Sequence, residues 1–222
     1  MLLALDTSTQ TMGIALYMEG QVVAEMSWRT ASHHTVELAP AIDALLKRSA
    51  VKPTDLQALA VALGPGSFTS LRIGLAVAKG MALALHLPIL GIPTFEFLAR
   101  SLPPSQNPAL LLLPAGRSRY AVQWFGSDGK DWTPAGELTV MTAEQISESI
   151  EGPTHILGEM SPEDRKVIGR KWKNAMLVSP ALGMRRTSLL AEMAWERWKA
   201  GKVDDPISLA PIYLHVAGAI PE

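Results

Sequence analysis

The sequence predicts an α/β protein of two lobes, each built on a mixed sheet, in which one order of elements, β-β-β-α-β-α-β-α, runs twice. Three observations carry that expectation. The order is legible on both sides of a linker, Leu102–Pro108, that is dense in proline and polar residues. Residues 61–85, VALGPGSFTSLRIGLAVAKGMALAL, read as the end of a buried strand, a glycine turn and an apolar helix, the local plan of an α/β unit. At 222 residues, 48% hydrophobic and 18% charged, the chain can bury either one large core or two small ones. The expected lobes are residues 1–103 and 104–222, without detectable sequence identity between them.

In the first lobe, Leu2 to Leu5 is an apolar strand closed by Asp6-Thr7-Ser8-Thr9. Gly13 to Met18 and Val22 to Trp28 follow at strand length, with Glu19-Gly20 as the hairpin turn, so three strands form an antiparallel meander. Ser32 reads as the N-cap of a helix reaching about Ser49, with Leu38, Ile42, Leu45 and Leu46 on its apolar face. Pro40 inside it predicts a late start or a kink. Lys52-Pro53 stops that helix, and Leu56 to Leu63 is a buried strand. The central helix has too much apolar surface for one contact. Arg72, Ala76, Lys79, Leu83 and His86 share one stripe, while the apolar remainder spans roughly 220° against the ~100° a single core contact needs. Two rows compete for the inner position, Gly74-Ala78-Ala82 and Ile73-Val77-Gly80-Met81-Ala84. A strand over Pro88 to Ile92 and a short helix from Thr94 to about Ser101 complete the lobe.

Beyond the linker, Ala109 to Leu113, Arg119 to Phe125 and Gly136 to Val140 read as strands. Thr142 to Gln145 is a capping box opening a helix to about Glu151. Thr154 to Gly158 is a strand, and Ser161-Pro162 is an N-cap followed by proline at the first helical position. Ala175 to Ser179 is a strand, and Thr187 is expected to cap a helix ending at Gly201. The apolar, proline-punctuated tail from Asp204 is expected to lie against the body.

Composition excludes several chemistries. With no cysteine there is no disulfide, thiolate metal site or cysteine nucleophile. A formal net charge of −1 argues against an independent grip on nucleic acid. The N-terminus MLLALDTST lacks the basic region and long apolar run of a signal peptide, and no uninterrupted apolar run approaches a membrane span, so a cytoplasmic protein without a membrane partner is expected. GPGSFTS lacks the Lys-Ser/Thr pair of a P-loop, and Thr69 stands where a dinucleotide fingerprint has its third glycine. His33 and His34 are adjacent, so on a helix they diverge by ~100° and serve one metal poorly, although one can orient the first helix. The basic run Arg165, Lys166, Arg170, Lys171 and Lys173 around Trp172 reads either as a tRNA contact or, more simply, as a solvated helix face.

The duplicated order resembles the actin, sugar-kinase and chaperone ATPase superfold. That resemblance implies phosphate contacts in the first hairpin turn, here Asp6, Thr7, Ser8 and Thr9; read without it, the same stretch is an ordinary polar hairpin. Together, ALDTST, HTVELAP at His34 to Pro40 and GPGSFTSLRIGLAVAKG from Gly64 resemble the TsaB family over the first half of the chain, to about Thr94. The family implies a non-catalytic subunit in making threonylcarbamoyladenosine next to the tRNA anticodon. Its implied partners are a TsaD-like catalytic subunit of the same fold, a TsaE-like ATPase, tRNA within the complex, and a second copy of itself when alone. It implies pairing through first-lobe helices, hence a candidate interface of Leu38, Ile42, Leu45, Ile73, Gly74, Val77, Ala78, Met81 and Ala82. It implies no cofactor of its own, with ATP or ADP at an interface of the complex. The chain departs from the family at Ser70, where glycine is usual, and at Pro114 to Tyr120, which lacks the aspartate of a DARRGEVY-like stretch. The catalytic relative's histidine pair is replaced by Thr94 and Leu98, which cannot ligate a metal as imidazoles do. The alternative is a small ATP-dependent kinase or ATPase of the same superfold.

Overall fold

A computed structural model describes residues 1–31, 33–171 and 173–213. In chain order the elements are β1 (Leu2–Asp6), β2 (Thr11–Met18), β3 (Gln21–Arg29), α1 (His34–Arg48), β4 (Ala58–Ala62), α2 (Phe68–Leu85), β5 (Ile89–Ile92) and α3 (Thr94–Ala99). There follow β6 (Ala109–Pro114), β7 (Tyr120–Ser127), β8 (Trp132–Pro134), β9 (Thr139–Met141), α4 (Ala143–Ser149), β10 (Thr154–Gly158), α5 (Pro162–Ile168), β11 (Ala175–Leu177) and α6 (Thr187–Lys199). The chain forms two compact units. Met1–Phe97 and Arg185–Ile212 make the first, and Leu98–Met184 belongs to the second. Where the sequence reading gave everything after residue 104 to the second lobe, α6 and the segment behind it therefore return to the first. Their apolar residues pack on its sheet, and a periodic pattern alone does not say which sheet a helix covers.

The first unit's sheet has the order β3-β2-β1-β4-β5, antiparallel from β1 to β3 and parallel from β1 to β5. Because side chains alternate along a strand, β1 and its neighbours present two different faces. Leu3, Leu5, Ile14, Leu16, Leu59 and Val61 form one, under α1 and α2. Leu2, Ala4, Ala15, Ala58, Ala60 and Ala62 form the other, mostly alanine, so α6 can bring its own Ala191 and Ala194 close while Leu190 and Trp195 fill the margins. The expected N-cap Ser32 lies outside the described residues. Pro40 sits inside α1 without delaying its start, because the carbonyl its ring cannot serve belongs to Val36, on the solvent side. α2 begins one residue after Ser67, whose hydroxyl accepts the Ser70 N–H at 3.4 Å and the Ser70 hydroxyl at 2.9 Å. It is long and apolar enough to cross a membrane by composition, yet its Leu71, Gly74, Leu75, Ala78 and Ala82 are buried. It is a core helix with a second apolar side.

In the second unit the path β11-β10-β6-β7 is continued by β8, and β9 also pairs with β7. Read as β9-β7-β6-β10-β11, this is the first sheet's order again, which is the duplicated plan of the actin-like ATPase fold. The third strand, expected over Gly136 to Val140, is instead two three-residue strands that both pair with β7, along different stretches of it. The Thr142 capping box and the Ser161-Pro162 start form as expected. Leu110, Leu112, Val122, Ile146, Ile150, Ile156 and Ile168 close the core between this sheet and α4 and α5.

α6 runs to Lys199 and is stopped, as expected, at Gly201, whose φ of 72° turns the chain just past the C-cap Ala200, but Thr187 does not cap its start. Glu25, on the neighbouring strand β3, accepts the Ser188 N–H at 3.1 Å and supplies the cap from outside the helix. The described part of the tail lies along the sheet edge at β5, with the Asp204 N–H on the Ile89 carbonyl and the Ile212 N–H on the Leu63 carbonyl. Its remainder, with His215, is outside the described residues.

Candidate functional site

The turn between β1 and β2 is held at the carboxyl end of β1, where Asp6, Thr7, Ser8 and Thr9 are all buried. Thr7 donates its hydroxyl to the Ser70 carbonyl at 2.7 Å, tying the turn to the first turn of α2. Ser8 shares a 2.9 Å hydrogen bond with the Thr94 hydroxyl, which also accepts the Gly64 N–H at 3.0 Å. The Ser8 backbone N–H goes to Asp6 Oδ1 at 2.9 Å, and its carbonyl accepts the Ser67 N–H at 2.7 Å. A Cβ at Gly66 would lie 3.0 Å from Ser8 Cα and closer to its carbonyl; one at Gly74 would lie 3.2 Å from Thr7 Cβ and closer to its hydroxyl. GPGSFTSLRIG is thus a close-packing motif, in which the loop and helix press onto the turn where side chains would not fit.

The charge in this turn is answered from far along the chain. Arg185, 2% exposed, donates Nε to Asp6 Oδ2 at 2.7 Å and Nη2 to Thr9 Oγ1 at 3.0 Å and the Thr11 carbonyl at 2.7 Å. The sequence reading missed this residue. A signal existed: two arginines immediately before a helix sit at the positive end of its dipole, an unfavourable place unless carboxylates meet them. Arg185 has Asp6, and Arg186 donates to Glu25 at 2.8 and 3.0 Å. Burial alone pushes the Glu25 carboxyl up, but the bonds from Arg186 and Ser188 outweigh it and hold the group below its usual range.

The first helix is oriented by one of its histidines. His34 is buried and donates Nε2 to the Thr9 carbonyl at 2.9 Å. Glu37 accepts from Trp28 Nε1 at 2.7 Å and from the Thr30 hydroxyl at 2.9 Å, which hold its carboxyl below the usual range. Among the described residues, no group of three or more His, Cys, Asp or Glu is placed to hold a metal ion. Thr94, at one of the positions expected to match the catalytic relative's histidines, is committed to Ser8 and Gly64, and Leu98, at the other, is fully buried.

The candidate interface divides. Leu38, Ile42, Leu45, Gly74, Ala78 and Ala82 lie in the first unit's own core and are not available to a partner, a correction that follows from their packing under the sheet. Ile73, Val77 and Met81 are only half-buried, and along the same side Gly80 and Ala84 are exposed. Leu83 is 80% exposed and Phe68 54%, but both stand on the stripe that carries Arg72 and Lys79, so the apolar outer row is that of Ile73, Val77, Met81 and Ala84.

In the second unit the matching hairpin turn, 115–119, is exposed and closes on itself, with Ala115 N–H on the Arg119 carbonyl at 2.8 Å. The basic run is partly spent on local capping: Arg165 donates to the Val178 carbonyl at 2.7 Å, and Lys171 to the carbonyls of Glu148 and Ile150. Its aromatic member, Trp172, lies outside the described residues.

The family model for TsaD, tRNA N6-adenosine threonylcarbamoyltransferase, matches residues 22–156, more than half of the chain. The tRNA threonylcarbamoyladenosine biosynthesis protein TsaB of Bacillus subtilis is 43% identical over 98 residues, covering 44% of this chain and 43% of that protein, less than half of the relative's length. The TsaB protein of Haemophilus influenzae is 27% identical over 228 residues, covering 96% of this chain and 92% of that one. Among solved structures, YeaZ from Pseudomonas aeruginosa superposes with a TM-score of 0.78 at 24% identity, covering 96% of this chain and 99% of that one.

Proposed function

The chain belongs to the TsaB (YeaZ) family, and from that premise we propose that it is a non-catalytic scaffold and activator subunit. Its partner is a TsaD-like catalytic subunit, joined by a TsaE-like ATPase, and the reaction served is threonylcarbamoylation of the adenosine next to the tRNA anticodon. The observation that carries this reading is the outer row of α2. Ile73, Val77, Met81 and Ala84 form an apolar strip flanked by Gly80, where a second helix can approach closely. A strip of that kind left at water is the mark of an interaction surface. Without the catalytic subunit, the same strip pairs two copies of this chain, one patch meeting its own copy across a two-fold axis. The subunit has no nucleotide of its own, meets ATP or ADP only where subunits join, meets tRNA only within the complex, and works in the cytoplasm.

Two substitutions test the surface. Ala78 has no exposed area, so Ala78→Glu buries an unpaired carboxylate and abolishes cooperative folding. Ala84 is exposed, so Ala84→Glu yields a folded monomer that no longer recovers the catalytic subunit or supports tRNA modification. Recovery of the catalytic subunit by Ala84→Glu at wild-type yield would remove α2 as the interface. Metal-dependent ATP hydrolysis by the isolated chain, lost in Asp6→Ala, would instead support the kinase or ATPase alternative.

A further inference from the structure

The turn between β1 and β2 is where the resemblance to the actin-like superfold implies phosphate contacts from hydroxyls and backbone N–H groups, and in this chain the groups there are committed to the protein itself. Both Asp6 oxygens are engaged, Oδ1 by the Ser8 N–H and Oδ2 by Arg185 Nε. The hydroxyls of Thr7, Ser8 and Thr9 are bonded to the protein itself, and the backbone N–H of Thr11 is taken by Thr9 Oγ1 at 3.0 Å. An anion meets no open N–H at Ser8 or Thr11, and a carboxylate stands beside it.

We propose that Arg185 is a tethered occupant of this turn, a cation carried by the chain itself that takes the place of a hard metal ion and closes the turn to one. Three oxygens of different origin converge on the guanidinium: the Asp6 carboxylate, the Thr9 hydroxyl and the Thr11 carbonyl. Carboxylate, hydroxyl and carbonyl oxygens are also the ligand types that hard divalent cations select. The occupant does not leave. Guanidinium keeps its charge throughout the working pH range, so no proton loss releases it. Its side chain is 1% exposed and that of Asp6 2%, and withdrawing one member of such a pair strands the other charge away from water. Arg185 is also the residue at which the chain re-enters the first unit, so filling the turn and seating α6 are one event. This inference concerns the isolated chain and stands whether or not the chain pairs with a catalytic subunit.

The test is a Mn²⁺ titration of the full chain, read by the loss of the free-ion paramagnetic resonance signal. Wild type is expected to take up no Mn²⁺ at millimolar concentration. Arg185→Ala should bind it at least about tenfold more tightly than wild type, and adding Asp6→Asn should abolish that gain. A folded Arg185→Ala without gain overturns the proposal, and so does a gain that survives Asp6→Asn. Should Arg185→Ala fail to melt cooperatively, melting is repeated with Mn²⁺, with methylguanidinium and with methylurea as the neutral control. Recovery with either cation but not with methylurea supports the tethered occupant; failure with both cations, or equal recovery with methylurea, overturns it.

Discussion

Replacing Gly74 by alanine tests whether the turn and α2 are as tightly joined as the geometry requires. The added Cβ would lie 3.1 Å from Thr7 Cγ2 and 3.2 Å from Thr7 Cβ, and closer still to the hydroxyl that Thr7 donates to Ser70. Ordinary contact needs more room at all three, and a β-branched side chain has few rotamers to retreat into. Thr7 must give up its bond to the Ser70 carbonyl or α2 must lift from the sheet. Alanine gains about 1 kcal/mol of helix propensity over glycine. Against it stand about 1–3 kcal/mol of overpacking and about 1 kcal/mol for the lost buried bond. The net is a loss of about 1–3 kcal/mol, which for a chain of this size lowers Tm by roughly 2–12 °C. Thr7→Ala removes the hydroxyl and the methyl and leaves only the 3.2 Å approach of the two Cβ atoms, so in that background Gly74→Ala should cost clearly less than it does in wild type. The assay is a double-mutant cycle on Tm. A rise in Tm from Gly74→Ala alone, or additivity within about 0.5 kcal/mol, would refute the close approach.

Glu25 is held below its ordinary pKa in the fold, so it adds stability above the usual glutamate value near pH 4.3 that is lost as pH falls through its lowered folded value. Glu25→Gln should therefore lower Tm at pH 7, with the gap to wild type narrowing on acidification; a constant gap down to about pH 3 would refute the linkage. Ser67→Ala removes the cap of α2, whose bond to the Ser70 N–H is long at 3.4 Å, so the cost should be at the low end for a cap, about 0.5–1 kcal/mol, seen as a small Tm drop. Asp204→Ala frees the Gly91 N–H and one anchor of Arg197, so hydrogen exchange at Gly91 should accelerate while core strand β1 keeps its protection. The Ala78→Glu and Ala84→Glu pair should part company in melting and in complex recovery, as argued above.

Much of the fold was legible because it rests on local rules. The apolar run of β1, the strand-length stretch of β2, the Glu19-Gly20 turn, the Thr142 capping box and the Ser161-Pro162 start each follow from a few adjacent residues. The contents of the turn and the inner row of α2 were not local. Whether Gly74, Ala78 and Ala82 or Ile73, Val77 and Met81 face inward depends on the shape of the sheet beneath, and the small row won because Thr7 occupies the space above Gly74. β8 escaped notice because three residues ending in proline carry no strand pattern. Asp6 and Arg185 stand 179 positions apart, and a single buried ion pair leaves no periodicity at either end.

The return of Arg185–Ile212 to the first unit also sets the order in which the chain can be completed on the ribosome. By the time Phe97 has been made, all five strands of the first sheet exist, but the alanine-rich face of β1, β2 and β4 has no helix and Asp6 has no counter-charge. Both arrive only after the whole of Leu98–Met184 has been synthesised, on the order of 4–17 s later at ordinary elongation rates. The long Leu98–Met184 stretch of the second unit is made in that interval, while the first unit waits with one face of its sheet uncovered. The nascent first unit is therefore most open to aggregation before α6 emerges, and it closes only when Leu190, Ala191, Ala194 and Trp195 reach the alanine-rich face.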